Sequence, residues 1–395
     1  MTRPEFAPRV LIAPDKFKGT LTAREAAEAI AVGVRAEWPA AVITSMPFAD
    51  GGEGTVDAVV AAGGRPRHTM VAGPLGEEVD ARWAIMGDTA VVEMAQSSGL
   101  QLVDPSPTTA RKAHTEGLGA LILAALEEGV ARIVIGVGGS ASTDGGMGAL
   151  RALGAVFLDE RGSALRGSGE DLRHVAEIDL EWLDPRLRTV DLLLCSDVSN
   201  PFAGAEGAAS IFGPQKGADS ATIAELDLGL RVFAAALARA TGVNPIDDDW
   251  GGSGGGVAGG MRAACGAHAG DGVDIVADLV GLDAALGSQD LVIVGEGSID
   301  LQSAMGKTPV GVARHARRVG VPAAAVVGRN LLQTDHLLTE NIIAISAAID
   351  SAPTLDDALR DPAPWTTAAA RQLLKRLQNQ SLTYWSPSAT DQRVL

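Results

Sequence analysis

Short apolar runs alternate with segments of helical period along this chain. Val10-Leu11-Ile12-Ala13 reads as a buried strand closed by Pro14, since a brief continuous apolar run bounded by breakers suits a sheet interior. A loop from Asp15 to Gly19 follows. Thr22 and Glu25 then have capping-box spacing, and Ala26, Ile30 and Val34 share one face of a helix that runs to about Trp38 and stops at Pro39. The same grammar returns in a helix over Leu118–Leu126, a strand over Arg132–Ile135 and strands at Val190–Leu194 and Leu291–Val294. A helix from Pro309 to Val319, another over Ile223–Ala240 and a strand at Ala323–Val327 complete it. Alternation of this kind predicts an α/β fold of mostly parallel sheet covered by helices. Val71 to Met94 differs: Val79, Ala81, Trp83 and Ile85 alternate with polar residues, and Asp88 punctuates before Ala90-Val91-Val92. That is hairpin grammar, so a second, different sheet is expected to begin near residue 70.

Length and charge narrow the class. At 395 residues the chain is expected to hold two or three domains. Its formal charge of −17 argues against phosphate backbones and anionic lipids as partners, so neither nucleic acid nor membrane is expected. Cys195 and Cys265 form neither a disulfide framework nor a zinc spacing, and no apolar run is long enough to span a bilayer. With no signal-peptide pattern visible, a cytoplasmic setting is expected. Residues 378–395, rich in Ser, Thr and Gln, read as a frayed tail.

Chemistry concentrates in glycine-flanked loops after strands. Only 6 of the 32 basic residues are lysines, yet Lys16, Lys18, Lys216 and Lys307 lie in such loops. A compact ammonium beside permissive backbone suits a phosphate or carboxylate. Acidic loops accompany them: Asp50-Gly51-Gly52-Glu53-Gly54-Thr55, Asp144-Gly145-Gly146, Asp197 with Asn200, and Glu296 with Asp300. Carboxylates for metal or proton transfer beside lysines for anions suggest phosphoryl transfer. Two familiar templates fare worse. Gly306-Lys307-Thr308 has Leu301 where a P-loop needs its first glycine. Gly136-x-Gly138-x-x-Ala141 with Asp159 matches a dinucleotide fingerprint, but Ser142-Thr143-Asp144-Gly145-Gly146 is a poor first helical turn.

Five segments in order carry a resemblance. They are Ala13-Pro14-Asp15-Lys16-Phe17-Lys18-Gly19-Thr20-Leu21, Ala49 to Thr55, Gly138 to Gly146, Phe212 to Gly217, and Gly295-Glu296-Gly297-Ser298-Ile299-Asp300. Together they resemble the bacterial glycerate kinase family, the type without a P-loop, over roughly residues 9 to 330 and more loosely to about 375. The resemblance implies ATP- and Mg²⁺-dependent phosphorylation of D-glycerate, most often to 2-phosphoglycerate. It also implies a flavodoxin-like (Rossmann-like) α/β domain of residues 1–70 and 288–377, an inserted mixed α/β domain of residues 71–287, and an active site in the cleft between them. Lys16 stands where the family often has Ser, and His114-Thr115-Glu116-Gly117-Leu118-Gly119 departs from the family's Thr-Thr-Tyr-Gly-Thr-Gly.

Within that chemistry Lys18, with Lys16, is expected on the substrate carboxylate or the transferring phosphate, in a substrate site with Asp15, Asp50, Glu53 and Thr55. Asp50 or Asp197 is the candidate base. Gly138, Gly139, Ser140, Ser142 and Asp144 would hold phosphates, and Lys216 and Lys307 would neutralise charge on the phosphoryl group. Asp197, Asn200, Glu296 and Asp300 are the pool for Mg²⁺. A nicotinamide-dependent oxidoreductase and a non-catalytic glycerate or nucleotide sensor are the rival readings, and a homodimer is left open.

Overall fold

The computed structural model describes residues 7–300, 303, 307–332 and 340–380. The chain divides into two compact units, Met1–Ala49 with Val276–Leu395, and Asp50–Ile275.

The first unit is built on a five-stranded sheet, all parallel, in the order Ile342–Ala347, Ala323–Val327, Leu291–Gly295, Arg9–Pro14, Val42–Ser45. Its central strands are continuous apolar runs because both faces are covered: Val10, Leu11, Ile12 and Ala13 are fully buried, as are Leu291 to Val294. Helix Ala23–Glu37 opens with the expected capping box: Glu25 N–H donates to Thr22 Oγ1 at 3.2 Å and Thr22 N–H to Glu25 Oε2 at 2.8 Å. Its Ala27, Ile30 and Val34 pack with Leu373 and Leu377 of the last helix, Pro362–Gln380, over the sheet. That helix includes the first residues of the expected tail; residues 381–395 lie outside those described.

The second unit holds a six-stranded mixed sheet in the order His268–Asp271, Asp191–Ser196, Arg132–Gly136, Thr89–Glu93, Glu78–Met86, Arg65–Ala72. The first four are parallel, and the last two are antiparallel additions. The hairpin read from Val71 to Met94 turns between Met86 and Thr89, which face each other. The boundary expected near residue 70 moves to 49/50, because Arg65–Ala72 pairs along its whole length with Glu78–Met86. Helix Thr55–Ala61 likewise packs on Glu78–Met86 and Thr89–Glu93. The return expected near 288 comes at 275/276, within helix Gly272–Val280. Helices Glu116–Glu127 and Ser220–Thr241 supply much of this unit's core, with Phe157 edge-on to Phe233 at 5.7 Å between ring centres. Among the described residues no helix is long and apolar enough to cross a membrane.

Candidate active site

In the first unit the sheet's strands, counted along the chain, lie in the order 2-1-3-4-5. The winding therefore reverses between Arg9–Pro14 and Leu291–Gly295, and ligands of such sheets bind beyond the carboxyl ends of the strands at that reversal. Pro14 faces Gly295 there, so the chain leaves the two strands side by side at Asp15 and Glu296. Asp15 N–H donates to Gly295 O at 2.8 Å, holding the two exits together. The Asp15 side chain is buried: Oδ2 accepts from Thr308 Oγ1 at 2.9 Å and Oδ1 from Lys16 N–H at 2.6 Å. Glu296 Oε1 is buried and has no hydrogen-bond partner among the described residues. Burial raises its carboxyl to about 7; Asp15 and Asp300 push the same way, while the Ser303 hydrogen bond and Lys307 oppose them. Ser303 also closes the loop, its N–H donating to Asp300 Oδ1 at 3.1 Å. Lys16 is half-buried with Nζ 4.0 Å from Asp15 Oδ1, Lys18 is exposed, and Lys307 is half-buried just before helix Thr308–Arg318. An orphaned buried carboxylate oxygen among further carboxylates suits a hard divalent cation, and Mg²⁺ takes one or two carboxylates together with phosphate oxygens. Among the described residues no group of three or more His, Cys, Asp or Glu side chains is arranged to hold a metal by itself.

In the second unit the loops again leave the carboxyl ends of parallel strands. Gly136 and Cys195 face each other at the ends of their strands, and the Asp50–Thr55 loop lies across them. This crossing requires glycine: a Cβ on Gly51 would stand 2.6 Å from Cys195 Sγ, and one on Gly138 would stand 2.7 Å from Gly52 Cα. Burial pushes the Cys195 thiol up, and the carboxylates of Asp50, Asp271 and Asp197 add to it. Three carboxylates thus gather around the end of one strand. Asp50 Oδ1 accepts from Gly52 N–H at 3.2 Å. Glu93, at the end of the neighbouring strand, is buried and accepts from Gly54 N–H at 3.1 Å and Val56 N–H at 2.6 Å, which fixes the far side of the loop.

The loop after Gly136 turns at Gly139, whose carbonyl accepts from Leu100 N–H at 2.8 Å, while Ala141 N–H donates to Ser98 O at 2.8 Å. Beyond it Asp144 is fully buried, and its carboxylate accepts from Thr115 N–H at 2.8 Å, Thr115 Oγ1 at 2.6 Å, and the N–H groups of Gly146 and Gly148 at 3.2 Å each. Burial pushes this carboxyl up against those hydrogen bonds. Helix Met147–Ala152 begins only after Gly146. Such a loop offers backbone N–H groups and hydroxyls to an anion.

Loops of this composition at strand ends suit phosphoryl transfer, and comparison with known proteins decides which transfer. The sequence model of the glycerate kinase family matches residues 10–378. The chain belongs to the glycerate kinase family. It is 43% identical over 360 residues to the glycerate 2-kinase of Escherichia coli K12, covering 89% of this chain and 93% of that one. It is 41% identical over 368 residues to a glycerate kinase of Bacillus subtilis, covering 92% and 96%. In structure it is similar to a putative glycerate kinase 2 of Salmonella typhimurium LT2, with a TM-score of 0.80 at 40% identity over 95% of this chain and all of that one. As a glycerate kinase the protein is an enzyme that transfers a phosphoryl group from ATP to glycerate.

Within this kinase the residues singled out from sequence fall into two sets. Asp15, Lys16, Lys18, Glu296, Asp300 and Lys307 are in the first unit; Asp50, Glu53, Thr55, Gly138, Gly139, Ser140, Ser142, Asp144, Asp197, Asn200 and Lys216 are in the second. Gly306 and Leu301 lie outside the described residues. Several placements differ from the expected ones. Thr55 is fully buried and donates to Gly52 O at 2.8 Å, so it braces its loop and does not face a ligand. Asp144 is spent on Thr115 and two glycine N–H groups, and a buried carboxylate repels phosphate. Asn200 Nδ2 donates to Glu206 O at 3.0 Å, which does not bear on Oδ1, the atom a cation would use. Lys216 is 2% exposed and points into the protein. Asp159, the ribose ligand of the dinucleotide reading, caps a surface turn through Arg161 and Ser163 N–H at 2.8 Å each, and no helix opens at Ser142; nothing supports that reading. Sequence reasoning missed Glu93, Thr115, Asp271 and Thr308. A lone Glu after Val91-Val92 or a Thr at a helix start gives no signal until its distant partner is known.

Proposed function

We propose that this glycerate kinase phosphorylates D-glycerate at the 2-hydroxyl, with Mg²⁺ accompanying ATP. The observation that carries the reading is that loops after Pro14 and Gly295 in one sheet, and after Gly136 and Ser196 in the other, all leave carboxyl ends of parallel strands carrying the lysines and carboxylates of the family's motifs. In the second unit the N–H groups of Gly138, Gly139 and Ser140 hold phosphate oxygens, with Ser142 behind them. Asp50 or Asp197 accepts the proton as the glycerate hydroxyl oxygen attacks the γ-phosphorus and ADP leaves. Glu53, exposed on the Asp50 loop, orients the substrate hydroxyls. In the first unit Lys18 and Lys16 take the glycerate carboxylate or the transferring phosphoryl group, and Lys307 offsets its charge. Glu296 and Asp300 are the residues that would hold Mg²⁺, and the ion would supply positive charge to offset that of the phosphate groups. Catalysis then rests on positioning and electrostatic stabilisation. Incubation with ATP, Mg²⁺ and D-glycerate, followed by phosphorus NMR, tests this. A 2-phosphoglycerate resonance is expected; 3-phosphoglycerate would overturn the regiochemistry, and no phosphoglycerate the whole reading.

A further inference from the structure

Lys216 is a buried charge with no route to a ligand. It ends the short 3-10 turn Pro214–Lys216, which Gly217 closes in the left-handed region at φ +85°. Its Nζ donates to Ser140 Oγ at 3.0 Å, to Thr143 Oγ1 at 3.5 Å and to the carbonyl of Ser142. An ammonium has three protons, and all three go to one four-residue segment 73 to 76 residues away. None of these acceptors is a carboxylate. The segment's far end is held by the opposite charge, the Asp144 carboxylate with its four donors. Its flank is covered by Gly255, whose φ is +73° and whose Cβ, if present, would stand 2.1 Å from Ser142 O and 3.1 Å from Lys216 Nζ. Two internal charges and a bare backbone thus fix a segment that offers a ligand only its outer N–H groups and Ser140.

The geometry points to Lys216 as the clasp of the Gly138–Thr143 loop: a positioning residue that sets the loop's N–H groups for the ATP phosphates without touching them. This rests on the reading that the loop takes those phosphates. A lysine that instead met the phosphoryl group would need an exposed Nζ and a spare proton, and Lys216 has neither. Burial, opposed by the charge of Asp144, lowers the Lys216 ammonium to about 8. The other charged groups on elements packed against its turn are Arg111, held by Glu225 at 2.8 Å, and Lys112 on helix Pro107–Lys112; helix Ala208–Phe212 and Gly254–Gly256 carry none. A neutral amine has two protons for three acceptors, so the loop loses one tie when Lys216 deprotonates.

Steady-state kinetics of Lys216→Met and Lys216→Gln test the clasp. The expected result is a rise in KM for ATP of about tenfold or more in Lys216→Met, with KM for glycerate changed by less than about threefold. Lys216→Gln, which keeps two N–H donors, should fall between Lys216→Met and wild type. In wild type KM for ATP should rise as pH passes about 8, and Lys216→Met should lack that rise. An unchanged KM for ATP in Lys216→Met overturns the proposal, as does a loss confined to kcat in both variants, which would mean direct contact with the transferring group. Should neither variant fold, the wild-type profile still decides, because a KM for ATP flat across that pH range sinks the clasp. Wild type that turns over no glycerate would remove the functional reading, while ATP titration of wild type against Lys216→Met would still read the clasp.

Discussion

Thr308 Oγ1 donates to Asp15 Oδ2 at 2.9 Å, joining two fully or nearly buried residues 293 positions apart. The bond ties the exit of the first strand to the start of helix Thr308–Arg318, and with it the loop that carries Lys16 and Lys18. Thr308→Val keeps the shape and leaves a carboxylate oxygen short of a donor, so it should lower stability by about 1.5–3 kcal/mol. Thr308→Ser should lose less than about 1 kcal/mol, since it retains the hydroxyl. Urea midpoints of the two variants check this; equal midpoints would show that the bond contributes nothing.

Glu296 should make stability depend on pH. Its folded carboxyl sits at about 7 against an ordinary 4.5 because of burial. A raised carboxyl contributes stability that is fully present below its unfolded value and is lost as pH rises through its folded value. Glu296→Gln should therefore match wild type near pH 4, below the ordinary 4.5, in metal-free buffer. By pH 8 it should be the more stable by an amount on the order of 3 kcal/mol at most. Mg²⁺ added at pH 8 should raise the wild-type midpoint and leave that of Glu296→Gln where it was. A pH-independent difference would mean that Glu296 is hydrated, not buried.

What could be read from sequence was whatever local spacing encodes. The capping box at Thr22 and Glu25, the apolar runs at Val10 and Leu291, and the hairpin ahead of Glu93 all rest on neighbours within a few residues, and each stands where it was expected. The motif loops were legible too, as glycine and charge together. Their partners were not. That Asp144 faces Thr115, that Lys216 turns inward, and that Arg65–Ala72 belongs to the second sheet follow from packing between distant segments. A charged residue in a glycine-rich loop looks alike in sequence whether it meets a ligand or braces the loop; only burial separates Lys18 from Lys216.

Asp50→Asn and Asp197→Asn divide the roles of the carboxylates around Cys195. The general base should lose about 10²-fold or more in kcat with little change in KM. The other carboxylate should lose less than about tenfold. If both stay within that smaller range, neither is the base, and Asp271→Asn should show the large loss, because Asp271 is the third carboxylate at that strand end.

Gly255→Ala probes the backbone that covers the phosphate loop. The left-handed conformation alone costs an L-residue about 1–2 kcal/mol, and the contact with Ser142 O forces a further shift. The expected outcome is a loss of at least about 2 kcal/mol together with a raised KM for ATP. Gly266→Ala is the control: its φ is +69° but its Cβ would meet nothing within 4 Å, so only the conformational part should appear. Equal effects at the two sites would mean that the loop yields freely.

The first unit is assembled from both ends of the chain, and Val10 pairs with Leu291. At ribosomal speeds of roughly 5–20 residues per second, the opening strand waits on the order of a quarter-minute to a minute for its partner to be synthesised. Through that interval its inner edge is open to any other nascent strand. The middle of the gene meanwhile delivers everything that Asp50–Ile275 needs. A ribosome that stalls shortly before Leu291 therefore releases a finished second unit attached to a sticky, half-made sheet, which gives chaperones and proteases a specific product to recognise.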